Sequence, residues 1–258
     1  KQLAKAVTLL KTAKRPVIFA GGGVILSRAS EELTAIARLA DIPVTGSLMG
    51  LGAFPGSHPL WLGMLGMHGT YRANMSIGNS DLIIAAGVRF DDRVTGNVKK
   101  FAPNAQIVQI DIDPTSIHKN IPVHCPIVGD CKSALAGILA LMEKESPQDL
   151  KQDRAPWLEQ IAQWKQTTPL NYEQGPDIIK PQFVVEKLYE ATRGEAIVTT
   201  EVGQNQMWTA QFYHFDKPNH FITSGGLGVM GFGLPAAIGA KAARPNKLVV
   251  GVAGDGSF

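Results

Sequence analysis

"DLIIAAG" (residues 81–87) and "IVQIDI" (residues 107–112) are short, almost continuous apolar runs. A strand with one wet face alternates polar and apolar residues, whereas a strand of a parallel sheet is covered on both faces and reads like these two. Working outward, "PVIFA" (16–20) is a third such run. Three glycines follow it, then a helical pattern with Leu33, Ile36, Ala37 and Ala40 on one face. Ser30 is the expected N-cap of that helix, with Glu31 and Glu32 favouring its positive end. "PIVGD" (126–130) leads into another helix, with Leu135, Ile138, Leu139 and Met142 on one side. Strands alternating with helices predict an α/β fold of open parallel sheets flanked by helices, with a first domain over residues 1–145.

The stretch 143–156 is polar and holds seven charged residues. With the short helix around Trp157, Ile161 and Trp164 and the prolines at 169, 176 and 181, it reads as a linker over 146–181. A second α/β pattern then begins: a helix at 182–193, "AIVTT" (196–200), "HFIT" (220–223), a glycine-rich segment and "KLVVGVA" (247–253). This second domain, 182–258, reads as cut short. There is no initiator methionine, and the last residue, Phe258, follows a strand and a Gly-Asp-Gly turn. The expectation is a piece of a longer protein.

Bulk properties exclude several classes. The 258 residues are 45% hydrophobic and 18% charged, enough for real cores and low for a disordered chain. A net charge of +3 from scattered basic residues argues against a nucleic-acid partner. No apolar run approaches the roughly 20 residues of a membrane helix. The first 30 residues carry no acids, as a transit peptide would. Leu3, Ala6, Val7 and Leu10, however, recur at helical spacing and favour an ordinary packed helix. Cys125 and Cys131 lie at neither a zinc nor a redox spacing and read as buried free thiols.

Ligands of open parallel sheets bind beyond the carboxyl ends of the strands. Six such ends carry glycine or carboxylate here: Gly21–Gly23, Gly87–Arg89, Asp111–Asp113, Gly129–Asp130, Glu201–Gln204 and Gly254–Gly256. Glycines there let backbone N–H groups come close to a phosphate, although any one of them alone is more simply a tight turn. Gly226-x-Gly228-x-x-Gly231 has the spacing of a dinucleotide turn, with Asp255 24 positions beyond Gly231 as a candidate ribose ligand. Asp255 sits between two glycines, though. That setting suits a hard carboxylate on a divalent cation beside a diphosphate better than it suits a sugar hydroxyl.

At this point the chain resembles the thiamine-diphosphate enzymes, whose cofactor motif opens with Gly-Asp-Gly. "LGMLGMHGTYRAN" (62–74), "GVRFDDRVTG" (87–96), "GQNQMW" (203–208) and "SGGLGVMGFGLPAAIGAK" (224–241) narrow the likeness to the catalytic subunits of the acetohydroxyacid (acetolactate) synthases. The resemblance implies an FAD-binding central domain followed by the first part of a thiamine-diphosphate-binding domain. It implies decarboxylation of pyruvate and joining of the two-carbon unit to pyruvate or 2-oxobutanoate, a transferase step toward valine, leucine and isoleucine. It further implies a homodimer or homotetramer, a regulatory small subunit, and a cytoplasmic location, or an organellar one such as the plastid in a eukaryote.

The same resemblance assigns residues. Asp255 would ligate Mg²⁺, and Val202, Gly203, Gln204, Asn205, Gly228, Gly254, Gly256 and Ser257 would line the thiamine diphosphate, with Met230 under its rings. Histidine is common in the family where this chain has Asn205. Arg93 would hold the carboxylate of the second substrate, with a salt bridge to Asp91 or Asp92 as its plain alternative. Met67 would lie near the flavin and the substrate channel. FAD would touch Gly21, Gly22, Gly23, His68, Gly69, Gly87, Arg89, Asp111, Ile112, Asp130 and Cys131; Asp111 and Asp130 could equally be helix N-caps. The family's activating glutamate belongs to an amino-terminal domain, so neither Glu195 nor Glu201 is given its role. Rival readings are a pyruvate oxidase or glyoxylate carboligase type, or a non-catalytic flavin or NAD module.

Overall fold

The computed structural model describes residues 1–151 and 154–258. Gln152 and Asp153, inside the polar stretch read as linker, lie outside the described residues. The chain divides into two compact units, Lys1–Phe54 with His58–Leu170, and Pro55–Ser57 with Asn171–Phe258.

In the first unit the apolar runs form six strands: β1 Pro16–Ala20, β2 Val44–Gly46, β3 Trp61–Met64, β4 Leu82–Ala86, β5 Gln106–Asp111 and β6 Cys125–Val128. They form one sheet in the order β3-β2-β1-β4-β5-β6, with every pair parallel. All residues of β1 and β4 are buried, as continuous apolar runs require. The helices are α1 Gln2–Thr12, α2 Gly22–Leu26, α3 Ser30–Leu39, α4 Tyr71–Asn79, α5 Asp92–Thr95, α6 Cys131–Met142, α7 Pro147–Lys151 and α8 Ala155–Thr167. Two apolar clusters lie on the two faces of the sheet. Val7, Leu10, Leu33, Ile36, Leu135 and Ile138 pack with Ile18 and Ile84 in one; Ile77, Trp157 and Ile161 pack with Val17, Phe19 and Ile83 in the other. Alternate residues of each strand point to opposite faces, so one run feeds both cores.

One expectation changes: Ser30 is the first residue of α3, Ala29 takes the N-cap position, and among the described residues the buried Ser30 hydroxyl has no hydrogen-bond partner. The short helix expected around Trp157, Ile161 and Trp164 forms as α8, preceded by α7. Trp157 and Ile161 are buried in the first unit, with the Trp157 indole donating to the Pro16 carbonyl at 3.3 Å. An amphipathic helix needs only one apolar side chain per turn to dock in this way.

The second unit has strands β7 Ile197–Thr200, β8 Phe221–Thr223 and β9 Val249–Val252 in the parallel order β8-β7-β9. Its helices are α9 Pro181–Thr192, α10 Gln204–Phe212 and α11 Gly233–Ala243. Beside β9, Leu248 is about half exposed, and Ile238 on α11 is 64% exposed. Among the described residues no helix is long and apolar enough to cross a membrane.

Candidate functional site

The order β3-β2-β1-β4-β5-β6 reverses direction between β1 and β4, and such a switch point opens a crevice at the carboxyl ends of the two strands. Gly21, Gly22 and Gly23 follow β1; Gly87, Val88 and Arg89 follow β4. The backbones nearly touch: Gly21 N–H donates to the Ala86 carbonyl at 2.9 Å and Gly23 N–H to the Gly87 carbonyl at 3.2 Å. A Cβ on Gly21 would come within 2.2 Å of the Gly87 oxygen. Only glycine allows this approach, and Gly87 also adopts φ +61°.

The two neighbouring strand ends are polar. Asp111 closes β5, is buried, and accepts from Asp113 N–H at 2.9 Å. Ile112 beside it is 72% exposed. Asp130 is the N-cap of α6, accepting from Ser133 N–H at 3.0 Å. Cys131 is buried in the core, and burial pushes its thiol up to about 12, so it stays protonated. Cys125 is buried and free as well.

Two motifs that the sequence separates are hydrogen-bonded together. Met67 N–H donates to the Arg93 carbonyl at 3.0 Å, and a Cβ on Gly66 would meet that same oxygen at 2.5 Å. Asn74 clamps the loop: its carbonyl accepts from Gly66 N–H at 3.2 Å, and its amide donates to the Gly66 and Thr70 carbonyls, each at 3.1 Å. Asn120 donates to the Arg89 and Phe90 carbonyls at 3.1 and 3.0 Å, supporting Phe90 at φ +52°. Arg93 is exposed and meets Asp92 through one nitrogen at 3.4 Å, while Arg89 pairs with Asp91 at 3.1 Å. Met67 is 65% exposed, and His68 is exposed beside it. A Cβ on Gly69 would strike the Met64 carbonyl at 2.3 Å. Asn74 and Asn120 escaped sequence reading because a lone asparagine has no signature until its backbone partners are known.

In the second unit the switch point lies at β7, whose neighbours β8 and β9 follow it on opposite sides. Past β7, Gly203 adopts φ +143° and caps α10; past β9 comes Gly254. A Cβ on either glycine would lie 3.3–3.4 Å from the Asn205 amide nitrogen, so one side chain joins the two strand ends. The Asn205 side-chain oxygen, Oδ1, is buried without a hydrogen-bond partner among the described residues. Gln204 is exposed at the start of α10. Gly228, at φ +68°, lies beside Val202, and a Cβ on Gly256 would meet the Met230 methyl at 3.8 Å. Met230 is 56% exposed. Asp255 is exposed and accepts from its neighbour Gly256 N–H at 2.9 Å; Ser257 donates to the Gly254 carbonyl at 3.3 Å. Val202, Gly203, Asn205, Gly228, Met230, Gly254 and Gly256 are therefore brought together at one end of the sheet. Two glycine turns lie against one amide and form a cradle: its nitrogen and the turns' backbone N–H groups can donate to a diphosphate, while its orphaned oxygen calls for a donor or a cation. No group of three or more His, Cys, Asp or Glu that could hold a metal is found among the described residues.

An open parallel sheet with a nucleotide-type switch point, followed by a second such unit with a glycine-lined strand end, defines a class. Residues 3–138 match the family model of the thiamine pyrophosphate enzyme central domain, and residues 201–258 match the C-terminal TPP-binding domain of the same enzymes. The chain belongs to the thiamine pyrophosphate enzyme family.

Within it, the chain is similar to acetolactate synthase large subunits. It is 52% identical to that of Buchnera aphidicola from Schlechtendalia chinensis over 258 residues, which is 100% of this chain and 45% of the relative. It is 50% identical to the isozyme 3 large subunit of Escherichia coli K12 over 257 residues, again 100% of this chain and 45% of the relative. It is 49% identical to acetolactate synthase 1, chloroplastic, of Nicotiana tabacum over 256 residues, 99% of this chain and 38% of the relative. The chain thus spans less than half the length of these relatives.

Proposed function

We propose that the full-length protein carrying this chain is an acetolactate synthase, which decarboxylates pyruvate and joins the two-carbon unit to pyruvate or 2-oxobutanoate. One observation carries the reading: about half of all residues are shared with acetolactate synthase large subunits from one end of the chain to the other. The joined loops of Met67 and Arg93 and the cradle around Asn205 support it. Bound thiamine diphosphate supplies the reactive carbon and the electron sink. The chain's own residues bind and orient.

Val202, Gly203, Gln204, Asn205, Gly228, Gly254, Gly256 and Ser257 line the thiamine diphosphate, and Met230 offers it an apolar support. Asp255 would supply one hard oxygen to Mg²⁺, whose charge would offset that of the diphosphate. FAD would be held at the β1/β4 switch point by Gly21–Gly23 and Gly87–Arg89, with Asp111, Ile112, Asp130, Cys131, His68 and Gly69 as its further contacts. Asp130 already caps α6, and Cys131 meets the flavin through its backbone because its side chain is buried. Arg93 holds the carboxylate of the second 2-oxo acid, and Met67 lines its approach. In domain terms this assigns residues 1–145 to FAD, 146–181 to the connection and 182–258 to thiamine diphosphate. A homodimer or homotetramer, a regulatory small subunit and a cytoplasmic or plastid location complete the proposal. The relatives' printed names, "large subunit" and "chloroplastic", support the last two.

The test is product analysis of the full-length protein given pyruvate, thiamine diphosphate, Mg²⁺ and FAD. Acetolactate as the product supports the proposal. Consumption of pyruvate with oxygen uptake and no acetolactate assigns the protein to the oxidase type instead. Flavin absorbance surviving desalting supports the FAD site; retention of NAD without flavin overturns it.

A further inference from the structure

The glycine turn 226–231 opens α11 with the spacing of a dinucleotide-binding turn, and a helix N-terminus of this kind ordinarily attracts a phosphate. Here its donors are already taken. Glu201, fully buried just past the end of β7, turns its carboxylate back under that turn. One oxygen accepts from Gly231 and Phe232 N–H at 2.8 and 3.2 Å, the other from Gly233 and Leu234 N–H at 2.6 and 3.3 Å. Phe232, Gly233 and Leu234 carry the N–H groups that the start of α11 leaves without internal partners, Pro235 having none, and Gly231 adds a fourth donor just outside the helix. Burial pushes the carboxyl up, but the four backbone donors outweigh it and hold Glu201 below the ordinary carboxylate range, so it stays charged.

The surroundings are built to keep it there. Gly233 lies so close to the strand end that a Cβ would come within 2.7 Å of Glu201 N and 2.8 Å of the Thr200 carbonyl carbon. Thr199 donates to the Gly233 carbonyl at 3.0 Å, and Ser224 accepts from Val229 N–H at 3.1 Å.

We infer that Glu201 is a positioning and specificity residue: a resident anion that fills the α11 N-terminus, excludes phosphate from the Gly226–Gly231 turn, and holds that turn against the cradle of Asn205. The consequence is a division of labour between two helix starts in one sheet. α11 is occupied by the protein's own carboxylate, and the diphosphate is left to the Gly203 and Gly254 strand ends. Met230, on the turn between Gly228 and the clamped Gly231, owes its place beside Gly256 to the same carboxylate. This inference rests on the thiamine-diphosphate reading above, and its test separates the two.

In the full-length protein, thiamine diphosphate binding in the presence of Mg²⁺ is measured by fluorescence quenching for the wild type and for Glu201→Gln. Amide hydrogen exchange across 226–236 is measured on the wild type without cofactor. The glutamine keeps the size of the side chain but turns an amide nitrogen toward backbone donors, so part of the clamp is lost. We expect Glu201→Gln to bind thiamine diphosphate at least about tenfold more weakly. Inorganic phosphate should raise its melting temperature more than that of the wild type, because an external anion can enter the opened helix start. Amides 231–234 should exchange far more slowly than those of 226–228, although Gly231 and Leu234 are themselves exposed. That arm keeps its force if the variant fails to fold. Equal exchange across the turn overturns the inference, as does a folded Glu201→Gln that binds cofactor like the wild type with no added response to phosphate. A wild-type protein that binds no thiamine diphosphate overturns the functional reading and the inference with it.

Discussion

Gly23 and Gly87 stand back to back across the β1/β4 switch point: a Cβ on Gly23 would lie 2.6 Å from the Gly87 Cα, and one on Gly87 would lie 2.5 Å from the Gly23 Cα. The obstructing atoms are backbone, so neither side can yield without shifting a strand end. Gly23→Ala is expected to destabilise the first unit by about 1–3 kcal/mol through overpacking. Gly78→Ala, at a helical glycine with nothing within 4 Å of its would-be Cβ, should be neutral or slightly stabilising. Urea unfolding of the two variants side by side checks this; equal midpoints would mean that the two turns are not closely packed.

Arg154 is buried and ties helix ends together, donating to the carbonyls of Ala40, Leu10 and Ala13. Burial lowers its pKa to about 10, against the opposing pull of Asp41 and Asp81, so it remains charged at neutral pH. Arg154→Met removes the donor of the Ala40 and Ala13 carbonyls and leaves the Leu10 carbonyl with the Ala13 N–H at 3.3 Å, and should cost about 2–4 kcal/mol. Arg154→Lys should recover little, because one ammonium cannot reproduce a fork aimed at two helices. Denaturant midpoints give both values; a full recovery by lysine would show that charge alone matters.

Stability should also fall in mild acid. Burial lowers the pKa of His220, Lys217 and Lys247 lower it further, and Glu195 and Gly194 oppose. Its buried Nδ1 has no hydrogen-bond partner among the described residues. His58 shifts the same way, through burial and then Arg38. The unfolded chain takes up these protons near pH 6.5, whereas the folded chain does so only at lower pH. Their contribution is therefore complete above about pH 6.5 and is lost as pH falls through the folded values. Urea midpoints between pH 7.5 and 5.5 should decline, and more gently in His220→Gln. An identical slope in that variant would exclude His220 as a source.

Among the described residues the Arg93 guanidinium pairs with Asp92 alone, through one nitrogen at 3.4 Å at an exposed position, which leaves the rest of the fork available to a carboxylate. In the full-length protein, Arg93→Lys should reduce acetolactate formation by roughly one to two orders of magnitude, the loss of one charge-assisted hydrogen bond of about 1.5–3 kcal/mol. Binding of thiamine diphosphate should be unchanged. Steady-state kinetics alongside a cofactor titration check this, and unaltered carboligation would remove Arg93 from the site.

Much of this was legible in the sequence because its signals are local. The runs at 16–20, 81–87 and 107–112 became β1, β4 and β5. Asp130 proved a helix N-cap, and Leu135, Ile138 and Met142 proved the buried stripe of α6. Ser30 misled because either side of a helix start can carry a serine, and only the backbone angles of Ala29 decide which residue is the cap. The helix at 155–167 was expected from Trp157, Ile161 and Trp164; its docking was not, because it depends on two side chains, Trp157 and Ile161, amid polar neighbours.

By itself, then, the sequence determined the type of the elements with a clear apolar run or stripe, such as β1, β4, β5 and α6, and the glycines that crowd the strand ends, since periodicity and backbone freedom are properties of neighbouring residues; the short β2, β3 and α10 carried no such signal. Only the tertiary structure decided which ends meet. It paired β1 with β4, hydrogen-bonded Met67 to Arg93, set Asn205 between Gly203 and Gly254, and turned Glu201 into the start of α11. The physical reason is common to all four. Each contact is made wholly or partly by backbone N–H and C=O groups or by missing side chains, which every residue or every glycine offers alike, so nothing in the residue types names the partner.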